Sequence, residues 1–270
     1  MRALTLTAIV LALSACNPEP EGEPVLRTEI GSGVAEDISK ALRRDSACRS
    51  VTFETIPLTH CIADPAKHRI TTALGPDGKA PYRSLANLAA GRAPDAPLVV
   101  FAVNGGMFDE DGKPIGYYVE GKDRTKELNR ADGPGNFHLK PNGVFYGTGS
   151  TWSIRTSDGF YSNVGDRPEF GTQSGPMLVI DGKLHPEIAQ DGPSKAIRNG
   201  VGVDSEGRAH FVISDKPLSF GVLARFYRDE LKTPNALFLD GNVSALWDPA
   251  NDRLDLGAAL GPLIVVEAKE

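Results

Sequence analysis

Two apolar runs in this chain end in small polar clusters, and those clusters hold the residue types best suited to chemistry. Leu98 to Val103 runs into Asn104-Gly105-Gly106, and Ala236 to Leu239 runs into Asp240-Gly241-Asn242. Between them lie Gln173-Ser174-Gly175-Pro176 and Arg198-Asn199-Gly200-Val201-Gly202. A carboxylate, a guanidinium, amides and a hydroxyl at the ends of rigid strands are what a cleft for a polar ligand needs. Glycine pairs let the chain turn with positive φ and let another group approach the backbone closely. Each glycine alone also suits an ordinary turn, and an Asn ahead of a glycine pair suits a cap. The joint pattern points to the floor of a ligand site.

Other chemistries find less support. His60, His68, His138, His185 and His210 show no HxxxH or HExxH spacing, so no metal is expected. Asp109-Glu110-Asp111-Gly112 lacks the alternating ligands and distal Glu of a calcium loop and reads as a hairpin tip. Gly147-Thr148-Gly149 has no nucleotide-binding continuation, and no Gly-x-Ser-x-Gly elbow occurs. No cofactor is expected. The chain has 270 residues with 29 basic and 35 acidic side chains, a net charge of -6. That balance argues against nucleic acid, whose partners carry a basic stripe.

The elements that must position these residues are mostly short strands. Val51 to Ile56 and Thr59 to Ile62 read as strands around Pro57, and Ile70 to Leu74 as a third. Met177 to Ile180 and Lys183-Leu184 flank Asp181-Gly182, the signal of a type I′ hairpin turn. Val201-Gly202-Val203 and Ala209 to Ser214 flank Asp204-Ser205-Glu206-Gly207, and the second of these strands reads as half-buried. Leu263 to Val266 reads as a closing strand. Helices are few. Val34, Ile38 and Leu42 mark one, Ser84 to Ala90 a second, and Ser219 caps a third that shows Leu223, Phe226, Tyr227 and Leu231 on one face. The fold class is α+β, a mixed or antiparallel sheet core with a few short helices in a single domain.

The N-terminus is a targeting segment. Arg2 precedes the apolar stretch Ala3 to Leu13, which is too short to span a bilayer, a task that takes about 20 residues as a helix. Leu13-Ser14-Ala15-Cys16 resembles the lipobox of bacterial lipoproteins, in which the Cys is lipidated. Residues 1–15 are then a lipoprotein signal peptide and 16–33 a lipidated Cys16 with a flexible tether. The tether contains the acidic, Pro-rich Pro18 to Pro24. Residues 34–270 form the domain. The expected place is the bacterial cell envelope, on a lipid anchor, with Asn17 favouring the outer membrane. In that compartment the remaining cysteines, Cys48 and Cys61, are expected to form a disulfide across a hairpin, worth roughly 3 kcal/mol.

NGGMF at Asn104 to Phe108, PNGVFY at Pro141 to Tyr146, SGPMLVIDGK at Ser174 to Lys183, RNGVGVDSEGR at Arg198 to Arg208 and FLDGNVSALW at Phe238 to Trp247 occur in one order. Together they resemble the phosphodiester glycosidase family. Met107 stands where that family often has Phe, and Asp240-Gly241-Asn242-Val243-Ser244 departs from its Asp-Gly-Gly-Gly-Ser stretch.

The resemblance implies hydrolysis of a sugar-1-phosphodiester. Arg198 would hold two phosphate oxygens in a fork. The leaving phosphate monoester has a second pKa near 6, so a general acid matters less than in ordinary glycosidases. The oxocarbenium-like centre needs a carboxylate, with Asp240 the first candidate and Asp215 the second. Asn104, with the backbone N–H groups of Gly105 and Gly106, would contact sugar or phosphate. Lys140, Asn142, Ser174, Asn242 and Ser244 complete the expected binding set. The partner is a glycosyl-phosphodiester small molecule or an envelope glycan, alongside the membrane. A non-catalytic lipoprotein that binds glycan or another surface polymer in the same cleft is the alternative.

Overall fold

The structure is a computed structural model that describes residues 46–76, 79–240 and 243–269. The signal segment, Cys16, the tether and the helix expected at Val34 to Leu42 lie outside the described residues, as does Asn242. The first part of the domain comprises β1 (Cys48–Phe53), β2 (Ile56–Ala63), β3 (His68–Ala73), α1 (Leu85–Gly91), β4 (Val99–Asn104), β5 (Tyr118–Glu120) and β6 (Asp123–Lys126). Next come β7 (Gly143–Thr148), β8 (Thr151–Thr156), α2 (Ser157–Asn163), β9 (Phe170–Ser174), β10 (Met177–Ile180) and β11 (Lys183–Leu184). The last part holds β12 (Asn199–Val203), β13 (Ala209–Ser214), α3 (Phe220–Arg225), β14 (Asn235–Phe238), β15 (Leu246–Asp248), β16 (Arg253–Leu254) and β17 (Leu263–Ala268).

These strands form three sheets, ordered β1-β2-β13-β12-β14-β10-β11, β16-β15-β4-β17-β3 and β6-β5-β9-β7-β8. Pairing among the described strands is antiparallel throughout. One core joins the seven-stranded sheet to both five-stranded sheets through Phe101, Phe145, Phe170, Phe211, Leu237 and Ile264. Helix α3 covers the other face of the large sheet, where Leu223, Phe226 and Tyr227 meet Leu178, Val212 and Phe238. Helices α1 and α2 cap the far faces of the smaller sheets with Leu85, Leu88 and Phe160. The result is four layers, helix, sheet, paired sheets and helices, in one domain of the α+β class.

Local signals set many of the boundaries. Ser84 Oγ accepts from Asn87 N and Ser219 Oγ from Val222 N, so both expected caps are in place. Asp181 and Gly182 both take positive φ, 48° and 76°, as a type I′ turn requires. Cys48 pairs directly with Cys61 across β1 and β2, and the two are disulfide-bonded.

Two readings need correction. The first hairpin turns at Glu54-Thr55, both with positive φ, and Pro57 lies inside β2. Strand β13 is buried on both faces, because Phe211 and Ile213 enter the inter-sheet core while Val212 lies under α3. The closing strand expected at Leu263 to Val266 forms as β17, the last strand of the chain, between β3 and β4.

Under the π-helical turn Phe226–Glu230 that continues α3, a polar chain crosses the large sheet. His210 Nε2 lies 2.9 Å from Asp204 Oδ2, and His60 Nε2 lies 2.9 Å from His210 Nδ1. If His210 donates to Asp204 and His60 donates to His210, both rings are neutral. His60 Nδ1 is then a buried lone pair without a partner among the described residues. Burial, with His210 and Arg49 nearby, lowers the His60 pKa from 6.5 to about 3, and burial also lowers that of His210. The unfolded chain therefore takes up protons below about pH 6.5 that the native chain refuses. Stability should hold above that pH and fall by roughly 1.4 kcal/mol per unit for His60 alone as pH drops toward 3. Urea midpoints at pH 7 and pH 5 check this, and His60→Gln should flatten the dependence. Equal midpoints at the two pH values would contradict it.

Candidate functional site

One end of the seven-stranded sheet gathers most of the polar clusters. Residues just outside or at the ends of β13, β12, β14 and β9 meet there, because the antiparallel register sets Asn199 against Ile213 and Gly200 against Phe238. Leu239 N donates to Asn199 O, extending the β12–β14 ladder beyond its last pair. Carried one step further, the register sets Asp240 across from Arg198.

Arg198 is the most unusual residue of this end. It is 2% exposed, and its guanidinium stacks at 3.7 Å over the Phe220 ring and 5.5 Å from that of Phe238. Nε donates to Leu218 O at 3.1 Å, and Nη2 donates to Ser194 O and Oγ at 3.3 and 3.1 Å. These partners are all uncharged, and burial lowers its pKa. Burying a charge among neutral groups is expensive, and an arriving anion relieves that cost. Nη2 points toward Ser194, an exposed residue, so solvent is close on that side. Asp240 is 6% exposed at the end of the strand that carries Phe238. The residue before it is held at both ends, because Leu239 N donates to Asn199 O and Ser174 Oγ donates to Leu239 O.

The Asn104-Gly105-Gly106 turn does different work from that expected. Asn104 Oδ1 accepts from Asn199 Nδ2 at 2.8 Å and Ala245 N at 2.9 Å, and its Nδ2 donates to Val243 O at 3.0 Å. Its amide therefore clasps the start of β12 to the segment after Asn242 and is not turned to a ligand. Gly105 N donates to Pro262 O and Gly106 N to Thr172 Oγ1. Both N–H groups are thus consumed by the fold. Glycine is required at 106 because a Cβ there would lie 2.6 Å from Thr172 Oγ1 and overlap the Gln173 carbonyl oxygen. Gly106→Ala is expected to destabilise the protein by about 3 kcal/mol, since a strand cannot yield as a side-chain tip can. A thermal melt decides, and a wild-type midpoint would contradict the close packing of β4 on β9.

Asp215 also departs from expectation. Its carboxylate accepts from Thr59 Oγ1 at 3.1 Å and pairs with Arg253 Nη1 at 3.3 Å, on the side of the large sheet that meets the β15–β16 hairpin. Arg253 also forks onto Asp255. Burial works against the Arg253 charge, but Asp255 and Asp215 outweigh it and raise its pKa. Arg198 lies on the opposite, α3-covered side with Phe220 and Phe238. Asp215 is therefore a latch between two sheets and not a second carboxylate beside Arg198.

The remaining candidates are mostly engaged by the protein itself. Lys140 Nζ donates to Asp132 Oδ1 and Arg130 O. Asn142 Nδ2 donates to Phe137 O, and its Oδ1 accepts from Ser157 Oγ. Ser174 is spent on Leu239. Ser244 Oγ reaches Ile197 O at 3.3 Å and lines a cleft of about 480 Å³ with Ile197, Val243 and Leu256. Among the described residues no group of three or more His, Cys, Asp and Glu is placed to hold a metal. Asn199, overlooked in sequence, is the hub that joins Asn104, Leu239 and Ser244, and its position beside Arg198 was the available signal.

Comparison with known proteins follows the same outline. A family model for phosphodiester glycosidases matches residues 98–254. The Escherichia coli protein YigE is 38% identical over 149 residues, 55% of this chain and 58% of that protein, so the chain spans little more than half of that relative. Among solved structures, the catalytic domain of zebrafish N-acetylglucosamine-1-phosphodiester α-N-acetylglucosaminidase, auto-inhibited by its pro-peptide, superposes with a TM-score of 0.56. It is 14% identical, over 82% of each chain. A protein from Synechocystis superposes with a TM-score of 0.52 at 13% identity, over 82% of this chain and 61% of the other. At such identities the structural matches speak for the fold.

Proposed function

Since the chain belongs to the phosphodiester glycosidase family, we propose that it hydrolyses a glycosyl phosphodiester at the bond between sugar C1 and the phosphate oxygen. The observation that carries this reading is Arg198, a buried guanidinium with uncharged partners at the strand end that bears Asp240. A phosphodiester brings the single negative charge and the two acceptor oxygens that such a fork matches. Asp240 takes the proton of a water that attacks C1, or attacks C1 itself and is released by water afterwards. In either course the C1–O bond breaks, its electron pair leaves with the phosphate, and the products are a free sugar and a phosphate monoester. The weak basicity of that leaving group removes the need for a strong general acid. Asn104, Asn199 and Ser174 act by holding the strand ends that carry Arg198 and Asp240.

A panel of sugar-1-phosphodiesters, incubated with the purified full chain, tests the reading by the release of free sugar. Binding of the panel without turnover would support the non-catalytic reading instead.

The place of action belongs to the same proposal. Leu13-Ser14-Ala15-Cys16 anchors the protein in the cell envelope through lipid on Cys16. Cys16→Ser should shift the protein from the membrane fraction to the soluble fraction or leave it unprocessed. A processed variant that stays with the membrane would contradict the anchor.

A further inference from the structure

We propose that the cleft lined by Ile197 and Leu256 receives the group on the far side of the substrate's phosphate, and that this group is a hydrocarbon chain. This deepens the hydrolase reading, on which it rests for the cleaved bond. The cleft, of about 480 Å³, is within the range that holds an organic ligand, and its apolar wall includes Leu85, Ile197, Val243 and Leu256. Ile197 is 38% and Leu256 78% exposed. Apolar side chains exposed singly are ordinary, but exposed together around a concavity they mark a binding surface.

The polar groups of the lining are already engaged. Ser84 Oγ caps α1 through Asn87 N, and Ser244 Oγ donates to Ile197 O. The Asp255 carboxylate accepts from Arg253 Nε and Nη2 and from Leu246 N. The lining holds no Lys, Arg or His and no aromatic ring. An anionic group therefore finds no cation there, and a sugar finds no ring to stack on. Hydrocarbon is the ligand that this wall favours.

The cleft adjoins the Arg198–Asp240 end over exposed chain. Ile197 and Arg198 are neighbours whose side chains leave on opposite sides, Ile197 into the cleft and Arg198 beneath α3. Arg198 Nη2 ends at Ser194 O and Oγ, 3.3 and 3.1 Å away. Ser194, Lys195 and Ile197 are exposed, and the strap they form is pinned where Ala196 and Leu218 exchange backbone hydrogen bonds. Three residues span at most about 11 Å, which bounds the distance from Ser194 to Ile197. The same bound holds between Asp240 and Val243, on the other flank of the cleft. A phosphodiester has two ester arms. With its phosphate at Nη2, the sugar arm turns to Asp240 and the other arm crosses the Ser194–Ile197 strap into the cleft. Hydrolysis then frees the sugar and leaves the hydrocarbon chain on the phosphate monoester.

Isothermal titration of the full chain with ethyl, butyl, hexyl and octyl phosphate, analogues of that second product, tests the cleft without turnover. Affinity should rise about twofold per methylene, the half-burial of an open cleft against roughly fourfold for complete burial. From ethyl to octyl the gain is then on the order of sixtyfold. Leu256→Ser and Ile197→Ser should each cut that gain at least threefold, with ethyl phosphate affinity, circular dichroism and melting unchanged. Equal affinity along the series, a gain that survives both substitutions, or tighter binding of glucose 6-phosphate than of octyl phosphate would overturn the cleft. Phosphatidylcholine vesicles that bind through Leu256, with no gain along the series, would make this surface a membrane contact and overturn it too. A gain along the series in a chain that hydrolyses no sugar-1-phosphodiester would leave the cleft standing and remove the hydrolase reading. Hydrolysis of alkyl sugar-1-phosphodiesters with kcat/KM indifferent to chain length would do the reverse.

Discussion

Asp240→Asn is expected to lower kcat on a sugar-1-phosphodiester by on the order of 10²–10⁴ while leaving binding nearly intact, because a general base contributes that much. The amide preserves the shape of the side chain but cannot take a proton from water or attack C1. Asp240 sits 6% exposed beyond β14, and Ser174 and Asn199 fix the preceding peptide, so an isosteric change should leave the strand end in place. The measurement is steady-state kinetics beside equilibrium binding of the same phosphodiester. A variant with wild-type kcat would remove Asp240 from the chemistry. Asp215→Asn supplies the contrast. Because that carboxylate is spent on Thr59 and Arg253, its loss should lower the melting temperature and leave kcat close to wild type.

Arg198→Met should separate function from stability in the opposite direction. Methionine fills similar space against Phe220 and Phe238 but carries no charge to desolvate. The partners left behind tolerate the change, since Leu218 O still accepts from Ala196 N and Ser194 is exposed to water. The melting temperature should therefore hold or rise, as when buried charges give way to apolar side chains. Phosphodiester binding should weaken by about 3 kcal/mol, roughly a hundredfold, because two hydrogen bonds to a charged group are lost. Arg198→Lys should recover only part of the affinity, as an ammonium keeps the charge and loses the fork. A large drop in stability with unchanged affinity would make Arg198 a structural residue.

What was legible in the sequence was local. Asp181-Gly182 encodes its own turn, Ser84 and Ser219 cap the helices they precede, and LVVFAV and ALFL are apolar enough to be strands whatever surrounds them. Cys48 and Cys61 declared a staple because the hairpin between them is short. Asn104, Arg198, Asp215 and Asp240 group together because each adjoins an expected strand, and of these Asp215 turns away from Arg198 toward Thr59 and Arg253. The roles within that group were not legible, because they depend on partners far away in the chain. Asn104 reads as a ligand contact until Asn199, Val243 and Ala245 are seen to consume its amide. Asp215 reads as a second candidate for the catalytic carboxylate until Arg253 arrives from another sheet. His60 and His210 have no motif spacing, yet neighbouring strands bring His60 Nε2 within 2.9 Å of His210 Nδ1. Strand β13 seemed half-buried because alternation cannot report a second covering layer, which α3 provides.

The central claim is that the sugar–oxygen bond breaks, and not the oxygen–phosphorus bond. Hydrolysis of a sugar-1-phosphodiester in ¹⁸O-labelled water, with mass spectrometry of both products, tests it most directly. Attack of water at C1, directly or on a glycosylated Asp240, places the label in the released sugar and leaves the phosphate monoester unlabelled. Label in the phosphate, with none in the sugar, would mean attack at phosphorus and would contradict the account.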